Sequence, residues 1–161
     1  MSSLREWRVD RELLLDFFLS FSRFEFALKL AGFAEGNEKR VRPNWESYAA
    51  SIKDIFDKST DEDLLNASDY LLYNPPMKQV LLPNGLSWST EVPNGDLTDI
   101  EKLLILVRRV RNNLFHGGKF DMESHEQAER TESLLRSCLI VLGACLDLSP
   151  NVKKPFNNAV I

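Results

Sequence analysis

The chain has 161 residues, of which 43% are hydrophobic and 27% charged, and its formal net charge is −4. This length suits one domain with a sizeable core, and the balance is that of an ordinary globular protein. The negative net charge excludes a protein that coats nucleic acid by bulk electrostatics, although it is compatible with a small basic site on an acidic body.

The cysteines and the hydropathy pattern narrow the class of protein further. Cys138 and Cys145 lie on one predicted helix, roughly 10 Å apart, which is too far for a disulfide. We expect buried thiols in a reducing compartment. No cysteine and histidine spacing resembles a zinc site, so no metal is predicted. The N-terminus has no apolar signal core and no run reaches the ~18 apolar residues of a membrane span, so we expect a cytoplasmic protein.

The first predicted helix runs from Val9 to about Phe33. Its apolar residues recur every three or four positions, which is the period of a helix. They cover so much of its circumference that the helix must be covered on more than one side, either as a central helix or by a second subunit. The polar segment from Glu35 to Arg42 then predicts a solvent loop. The apolar positions are Leu14, Phe17, Phe18, Phe21, Phe24 and Leu28.

Two shorter helices and an irregular block follow. Pro43 suits the first turn of the second helix, and Thr60 is a candidate N-cap for the third. The third helix must end before Asn74, because two prolines follow. Residues 75–95 predict an irregular loop or a small hairpin, with strands at Lys78 to Leu82 and Leu86 to Thr90 around a Pro-Asn-Gly turn.

Two long helices complete the pattern. The fourth is capped by Asp96 or Thr98 and runs to about Phe115, and the fifth runs from about Met122 to Leu148. The predicted fold is all-α, a bundle of four to five helices with the one irregular block.

The domain boundary is expected at the end of the fifth helix. Ser149-Pro150 ends that helix, so residues 1–150 form a single helical domain. Residues 151–161 are basic and polar before a short apolar end, and they are expected to form a C-terminal tail.

The end of the fourth helix combines residue types that carry chemistry. Arg111 lies on or beside the apolar face, where a charge needs a partner, so it either pairs with a carboxylate or lines a cleft. Asn112 and His116 are four residues apart and share one face. Gly117-Gly118 ends the helix there.

This set could cleave a phosphodiester bond without a metal. Histidine can take and give a proton near neutral pH, and arginine can grip a phosphate with two hydrogen bonds. From Lys102 to Lys119 there are five cations and no acid, a basic patch of the right sign for RNA. The same residues also fit a plain helix end, with the histidine at the negative end of the helix dipole and Arg111 in a structural ion pair.

The segment from Arg111 to His116 resembles the R-x4–6-H signature of HEPN domains, with a polar residue directly after the arginine. The run from Phe21 to Lys29 is similar to the first helix of a bacterial and plasmid-borne HEPN branch. The resemblance implies a helical bundle that forms a homodimer, with the two signatures facing each other across one composite cleft. It also implies a metal-independent ribonuclease without a cofactor, used in toxin–antitoxin or phage-defence systems, with an antitoxin as a protein partner.

The resemblance assigns roles to the residues of the signature. His116 would be the acid/base group that helps the ribose 2′-hydroxyl attack the adjacent phosphate. Arg111 would bind that phosphate, and Asn112 would orient both or contact the RNA. The expected products carry a 2′,3′-cyclic phosphate and a 5′-hydroxyl.

Residues outside the signature are given expected roles less directly. Glu25, an acid among phenylalanines, is expected either to pair with Arg111 or orient His116, or to stay at the edge in water or with Lys29. The cations expected to contact the RNA backbone are Arg108, Arg109 and Lys119, and the helical spacing places Arg108 and Arg109 toward solvent. The tryptophans Trp7, Trp45 and Trp88 are expected to pack in the core or an interface.

Two alternative functions remain open. One is a non-catalytic HEPN-like module that binds RNA, a nucleotide or a protein. The other is a helical interaction protein in which the motif is accidental.

Overall fold

The computed structural model describes residues 8–116 and 125–159. This part of the chain is predominantly helical, with six helices and two antiparallel hairpins. In chain order, the elements are α1 (Arg11–Leu30), β1 (Ala34–Asn37), β2 (Arg40–Pro43), α2 (Trp45–Asp57), α3 (Glu62–Tyr73), β3 (Lys78–Leu82), β4 (Gly85–Ser89), α4 (Asp99–Phe115), α5 (His125–Asp147) and α6 (Pro150–Asn158).

The helices pack around α1, whose phenylalanines form the centre of the core. Phe17, Phe21 and Phe24 are buried, as the helical period predicts. The Trp45 ring of α2 stacks on Phe24 at 5.5 Å between centroids. The helix also contacts α5 and α6, while α2 packs on α4 and α3 packs on both α4 and α5. Trp45 is therefore a core residue, as expected.

A buried hydrogen-bond network joins α2 to the end of α5. The Tyr48 hydroxyl lies 3.1 Å from the Cys145 carbonyl oxygen and 2.8 Å from the Ser149 hydroxyl. Burial raises the pKa of the Tyr48 hydroxyl and raises that of the Cys145 thiol to about 12. Both cysteines are buried free thiols, as predicted.

The prediction of a purely helical bundle is wrong at residues 34–43, where a hairpin replaces the expected loop. Glu35 pairs with Arg42 and Asn37 with Arg40 across the two strands. Gly36 has φ of +142°, and a side chain there would meet the Arg40 carbonyl. Almost all of the hairpin is exposed, so its sequence lacks the apolar alternation that identifies a half-buried strand.

The second hairpin confirms the prediction of strands within residues 75–95. Leu82 pairs with Gly85 at the turn, and Lys78 pairs with Ser89 at the open end. Gly85 directly follows the turn residues Pro83 and Asn84, and its positive φ of +121° favours glycine at this position.

The predicted C-terminal tail is wrong where the structure describes it, because Pro150–Asn158 forms α6. Proline suits the first turn of a helix, so Pro150 begins α6 as well as ending α5. Val152 is fully buried, and Arg23 of α1 donates to the Phe156 carbonyl at 2.7 Å and stacks on its ring. This helix therefore belongs to the domain.

Helix starts differ from the sequence prediction by a residue or two. The side chains of Asn44 and Asp61 cap α2 and α3, whereas Pro43 and Thr60 lie just before them. Thr98, one of the two predicted candidates, caps α4.

Within the described residues, no single helix is both long and apolar enough to cross a membrane. By length and composition alone, α5 and α6 would pass such a test together, but they are bent by 113° where they meet.

Candidate functional site

The last turns of α4 carry the predicted site residues. The helix begins at a capping box in which Thr98 and Glu101 exchange hydrogen bonds, and His116 is its C-cap. The His116 backbone amide donates to the Asn112 carbonyl at 2.9 Å. This last backbone bond fixes the spacing between Asn112 and His116, so both side chains leave the same side of the helix.

Arg111 is held by aromatic rings and by its neighbour. Its guanidinium carbon lies 4.5 Å from the Phe115 ring centroid and 5.8 Å from that of Phe21. Its Nη1 donates to the Asn112 side-chain oxygen at 3.0 Å. Among the residues that the structure describes, no carboxylate forms an ion pair with Arg111. Of the two environments expected for this charge, the carboxylate partner is absent among the described residues, and Arg111 is not part of the lining of the two clefts described below.

A cleft of about 550 Å³ lies between α4 and the second hairpin. Asn112 and His116 line one wall together with Arg108 and Arg109. The helical period brings them together, because Arg108 and Arg109 precede Asn112 by four and three residues and His116 follows it by four. The remaining lining residues are Lys78, Gln79, Glu91, Pro93, Asn94 and Ile105.

The cleft carries a positive charge excess. Among the described residues that line it, Glu91 is the one carboxylate, and it pairs with Lys78 at 3.2 Å. Arg108 and Arg109 remain as cations on the α4 wall. Such a surface attracts an anionic ligand, although the protein as a whole is acidic.

Arg109 is not the solvent-facing cation that its sequence position predicts. It is half-buried, and its Nη1 donates to the carbonyls of Glu91 at 2.6 Å and Pro76 at 3.1 Å. Burial lowers the pKa of Arg109, and the nearby Glu91 carboxylate opposes that shift. Arg109 therefore fastens both ends of the hairpin segment to α4 and adds its charge to the cleft.

Arg108 is also half-buried, against expectation. Its Nε donates to the Leu104 carbonyl at 3.2 Å, and its guanidinium carbon lies 5.7 Å from the Trp45 ring centroid. Burial lowers the pKa of Arg108, while the carboxylates of Glu46 and Glu25 raise it. Arg108 lines a second cleft as well, so it stands between the two.

Glu25 lies in this second cleft, which has a volume of about 380 Å³. Its Oε1 accepts a hydrogen bond from the Trp45 indole at 3.4 Å. Within the described residues, no hydrogen bond or ion pair joins it to Arg111 or His116, so neither expected role of Glu25 holds in one chain. On α1, Glu25 faces α2 and Arg108 rather than the end of α4.

Asn113 has a structural role that the sequence did not reveal. Only 5% of it is exposed, and its Nδ2 donates to the Met77 carbonyl at 2.8 Å. Because Asn113 is one residue beyond Asn112, it points about 100° further around the helix, toward the base of the hairpin. The asparagine doublet itself was the available signal, since adjacent helical residues point about 100° apart and two polar neighbours therefore meet different surroundings.

His116 and the cation beyond it complete the predicted set. The His116 side chain is exposed, with its ring edge-on to that of Phe115 at 6.2 Å between centroids. Lys119 and the Gly117-Gly118 turn lie outside the described residues. Over residues 8–116 and 125–159, no three His, Cys, Asp or Glu side chains are placed to hold a metal ion.

No protein-family model, curated protein or solved structure matches the chain.

Proposed function

We propose that the protein is a metal-independent RNA endonuclease of the HEPN type, active as a homodimer. The observation that carries the proposal is the set of contacts made by the Arg111 guanidinium. Two aromatic rings hold its guanidinium next to Asn112, which itself lies one helical turn before His116, and no described carboxylate neutralises it. Such a cation is preorganised for an anion that the protein itself does not supply, and a phosphate fits it.

The proposed reaction is an internal transfer at phosphorus. Arg111 binds the scissile phosphate and stabilises the charge that develops on it. The 2′-oxygen forms a bond to phosphorus, and the bond from phosphorus to the 5′-oxygen breaks. The 2′-hydroxyl loses its proton and the leaving 5′-oxygen gains one, and His116 is the group that moves these protons. The products carry a 2′,3′-cyclic phosphate and a 5′-hydroxyl.

The surface next to Arg111 supports a dimer. Leu15, Leu19, Phe26 and Leu30 are exposed and follow one another along one face of α1. Beside this face, Phe18 packs edge-on against Phe115 at 5.9 Å. Phe115 is itself 60% exposed and carries the Arg111 guanidinium on its ring. A second copy that covers this apolar surface brings two Arg111 side chains close to one interface.

The remaining cations and the biological setting extend the proposal. Arg108 and Arg109 supply positive potential along the path of the RNA backbone, and the sequence adds Lys119 as a further cation of the same segment. An endonuclease that cuts cellular RNA requires control, so a toxin–antitoxin or phage-defence role, with an antitoxin as partner, follows from the same resemblance.

The test uses both histidines of the chain. RNA is incubated with the protein in EDTA, beside His116→Ala and the matched control His125→Ala, which removes an exposed histidine at the start of α5. Wild type and His125→Ala should cut RNA, and His116→Ala should lose at least a hundredfold in rate. Intact RNA with every protein would overturn the proposal.

The second candidate is a non-catalytic HEPN-like module that binds RNA, a nucleotide or a protein. It is favoured by the exposed His116 imidazole, for which no described side chain serves as an orienting hydrogen-bond partner. A wild-type protein that leaves RNA intact but binds it, with binding lost in Arg111→Ala, would select this module over the nuclease.

A further inference from the structure

The outer face of the second hairpin is apolar and exposed. Leu81 and Leu86 face each other across the strands and are 81% and 68% exposed. Trp88, two residues from Leu86, lies on the same face and is 36% exposed. A two-stranded hairpin buries little of its own surface, so an apolar face of this size marks a place where a ligand or partner docks.

This face is continuous with the cationic cleft. Gln79 lines the cleft and is the direct cross-strand partner of Trp88. Directly opposed residues have Cβ atoms about 5 Å apart on the same face of the hairpin. The hairpin is fixed in this position, because Asn113 and Arg109 of α4 bind the carbonyls of Met77 and Pro76 at its base. Trp88 is therefore the cross-strand neighbour of a residue in the wall of the cleft that holds Asn112 and His116, while the indole itself is outside the described lining.

A ligand that fills both surfaces must combine anionic groups with flat apolar groups. The cleft offers cations spaced along α4, and the hairpin offers an indole between leucines. We propose that the hairpin face of Leu81, Leu86 and Trp88 is a base-stacking platform for single-stranded RNA whose backbone runs through the cleft. This inference rests on the proposed nuclease function and deepens it, since it names the substrate as RNA with unpaired bases.

Stacking of this kind selects unpaired RNA by physical necessity. A base can lie on an indole only when it is not stacked within a duplex, and every base has a suitable π face. The platform therefore gives affinity for single strands with little sequence preference. The two leucines extend the apolar area on which the flanking ribose or a second base can lie.

The experiment separates the bases from the phosphates. Binding is measured by fluorescence anisotropy with two short labelled oligomers of equal length: a 2′-O-methyl RNA, which lacks the attacking hydroxyl, and an oligomer with the same phosphates but abasic sugars. Wild type should prefer the base-bearing oligomer by roughly tenfold. Trp88→Ala should lose most of that preference while its affinity for the abasic oligomer stays the same, and Trp88→Phe should retain it.

Two further variants show whether a change in binding is specific to the hairpin face. Ile55→Ala removes an exposed apolar side chain on α2 and should bind like wild type. Leu86→Ser tests the platform without touching the indole and should weaken the preference in part. A wild type without preference for bases, or a preference unchanged in Trp88→Ala, would overturn the platform.

Two further outcomes distinguish this inference from the proposed function. In the first outcome, wild type cuts RNA in EDTA, and Trp88→Ala changes the oligomeric state seen in sedimentation but not the binding of either oligomer. The hairpin then packs against another copy of the chain, so the platform fails and the nuclease stands. If wild type binds neither oligomer and leaves RNA intact, both proposals fail.

Discussion

At the scale of single residues, the two adjacent asparagines of α4 have different surroundings, so the proposed function assigns stability to one and chemistry to the other. Asn113 is buried and binds the Met77 carbonyl, whereas Asn112 is exposed and binds Arg111. Asn113→Ala should lower the free energy of unfolding by about 1–3 kcal/mol, because a buried carbonyl loses its donor. Asn112→Ala should change it by no more than about 0.5 kcal/mol, yet reduce RNA cleavage by about tenfold or more.

Urea unfolding and a cleavage assay on the same two variants check this pair. Equal effects of both variants on stability would contradict the assignment of Asn112 to the site.

Arg111 offers a second test at this scale. Arg111→Ala removes the charge that we propose binds the phosphate, and it should slow cleavage by roughly a hundredfold to a thousandfold. Arg111→Lys keeps the charge but loses the planar group that can form two hydrogen bonds to one phosphate and stack on Phe115. Its cleavage rate should therefore lie between those of wild type and Arg111→Ala. Arg136→Ala, which removes an exposed cation on α5, is the matched control and should stay active. Full activity in Arg111→Ala would remove this residue from the site.

The sequence predicted which of these residues share a helical face better than it predicted the side chains that they contact. Helical spacing placed Asn112 and His116 on one face, because the geometry of a helix is regular over one turn. It could not show that Arg111 rests on Phe21, since that contact depends on how α1 and α4 cross. The crossing of the helices also decides the surroundings of Glu25. The sequence left open whether it meets Arg111 or His116 or stays at the edge, and it lies against Trp45 and Arg108.

At the scale of elements, the capping box at the start of α4 provides a measurable contribution to stability. The Thr98 hydroxyl accepts from the Glu101 amide, and the Glu101 carboxylate accepts from Thr98. Thr98→Ala should lower the free energy of unfolding by about 1 kcal/mol, and Thr98→Ser should restore most of it. An unchanged urea midpoint in Thr98→Ala would contradict a role for this cap.

The same cap predicts a dependence on pH. Hydrogen bonds from Thr98 lower the pKa of the Glu101 carboxyl in the folded protein. The stabilisation from this carboxylate is therefore present above the ordinary glutamate pKa of about 4.3 and is lost as the pH falls through the lowered folded value. The difference in stability between wild type and Glu101→Gln should shrink over that acidic range. A difference that does not depend on pH would contradict the assigned hydrogen bonds.

Elements with a regular apolar period were predictable, and those without one were not. The helices α1, α4 and α5 have buried faces at helical spacing, and the second hairpin carries a proline–asparagine–glycine turn. The first hairpin has no buried face to impose a pattern, and α6 is short with a single fully buried residue, Val152. Both form through pairing or docking against other parts of the chain, which local sequence does not encode.

At the scale of the whole molecule, the exposed apolar face of α1 predicts self-association. Phe26→Glu places a charge in the middle of the proposed interface, where burial of an unpaired carboxylate is costly. The variant should sediment as a monomer and lose RNA cleavage, because each composite cleft needs two chains. Ile55→Glu, on an exposed position of α2, should behave as wild type. A monomeric wild type that still cuts RNA would exclude the composite cleft.

The most direct test of the central claim is the chemistry of the cut ends. RNA is digested in EDTA by wild type and by His116→Ala, and the termini are identified by mass spectrometry. Attack by the 2′-hydroxyl predicts a 2′,3′-cyclic phosphate and a 5′-hydroxyl with wild type and no cleavage with the variant. Fragments that end in a 3′-hydroxyl and a 5′-phosphate, or equal cleavage by His116→Ala, would contradict it.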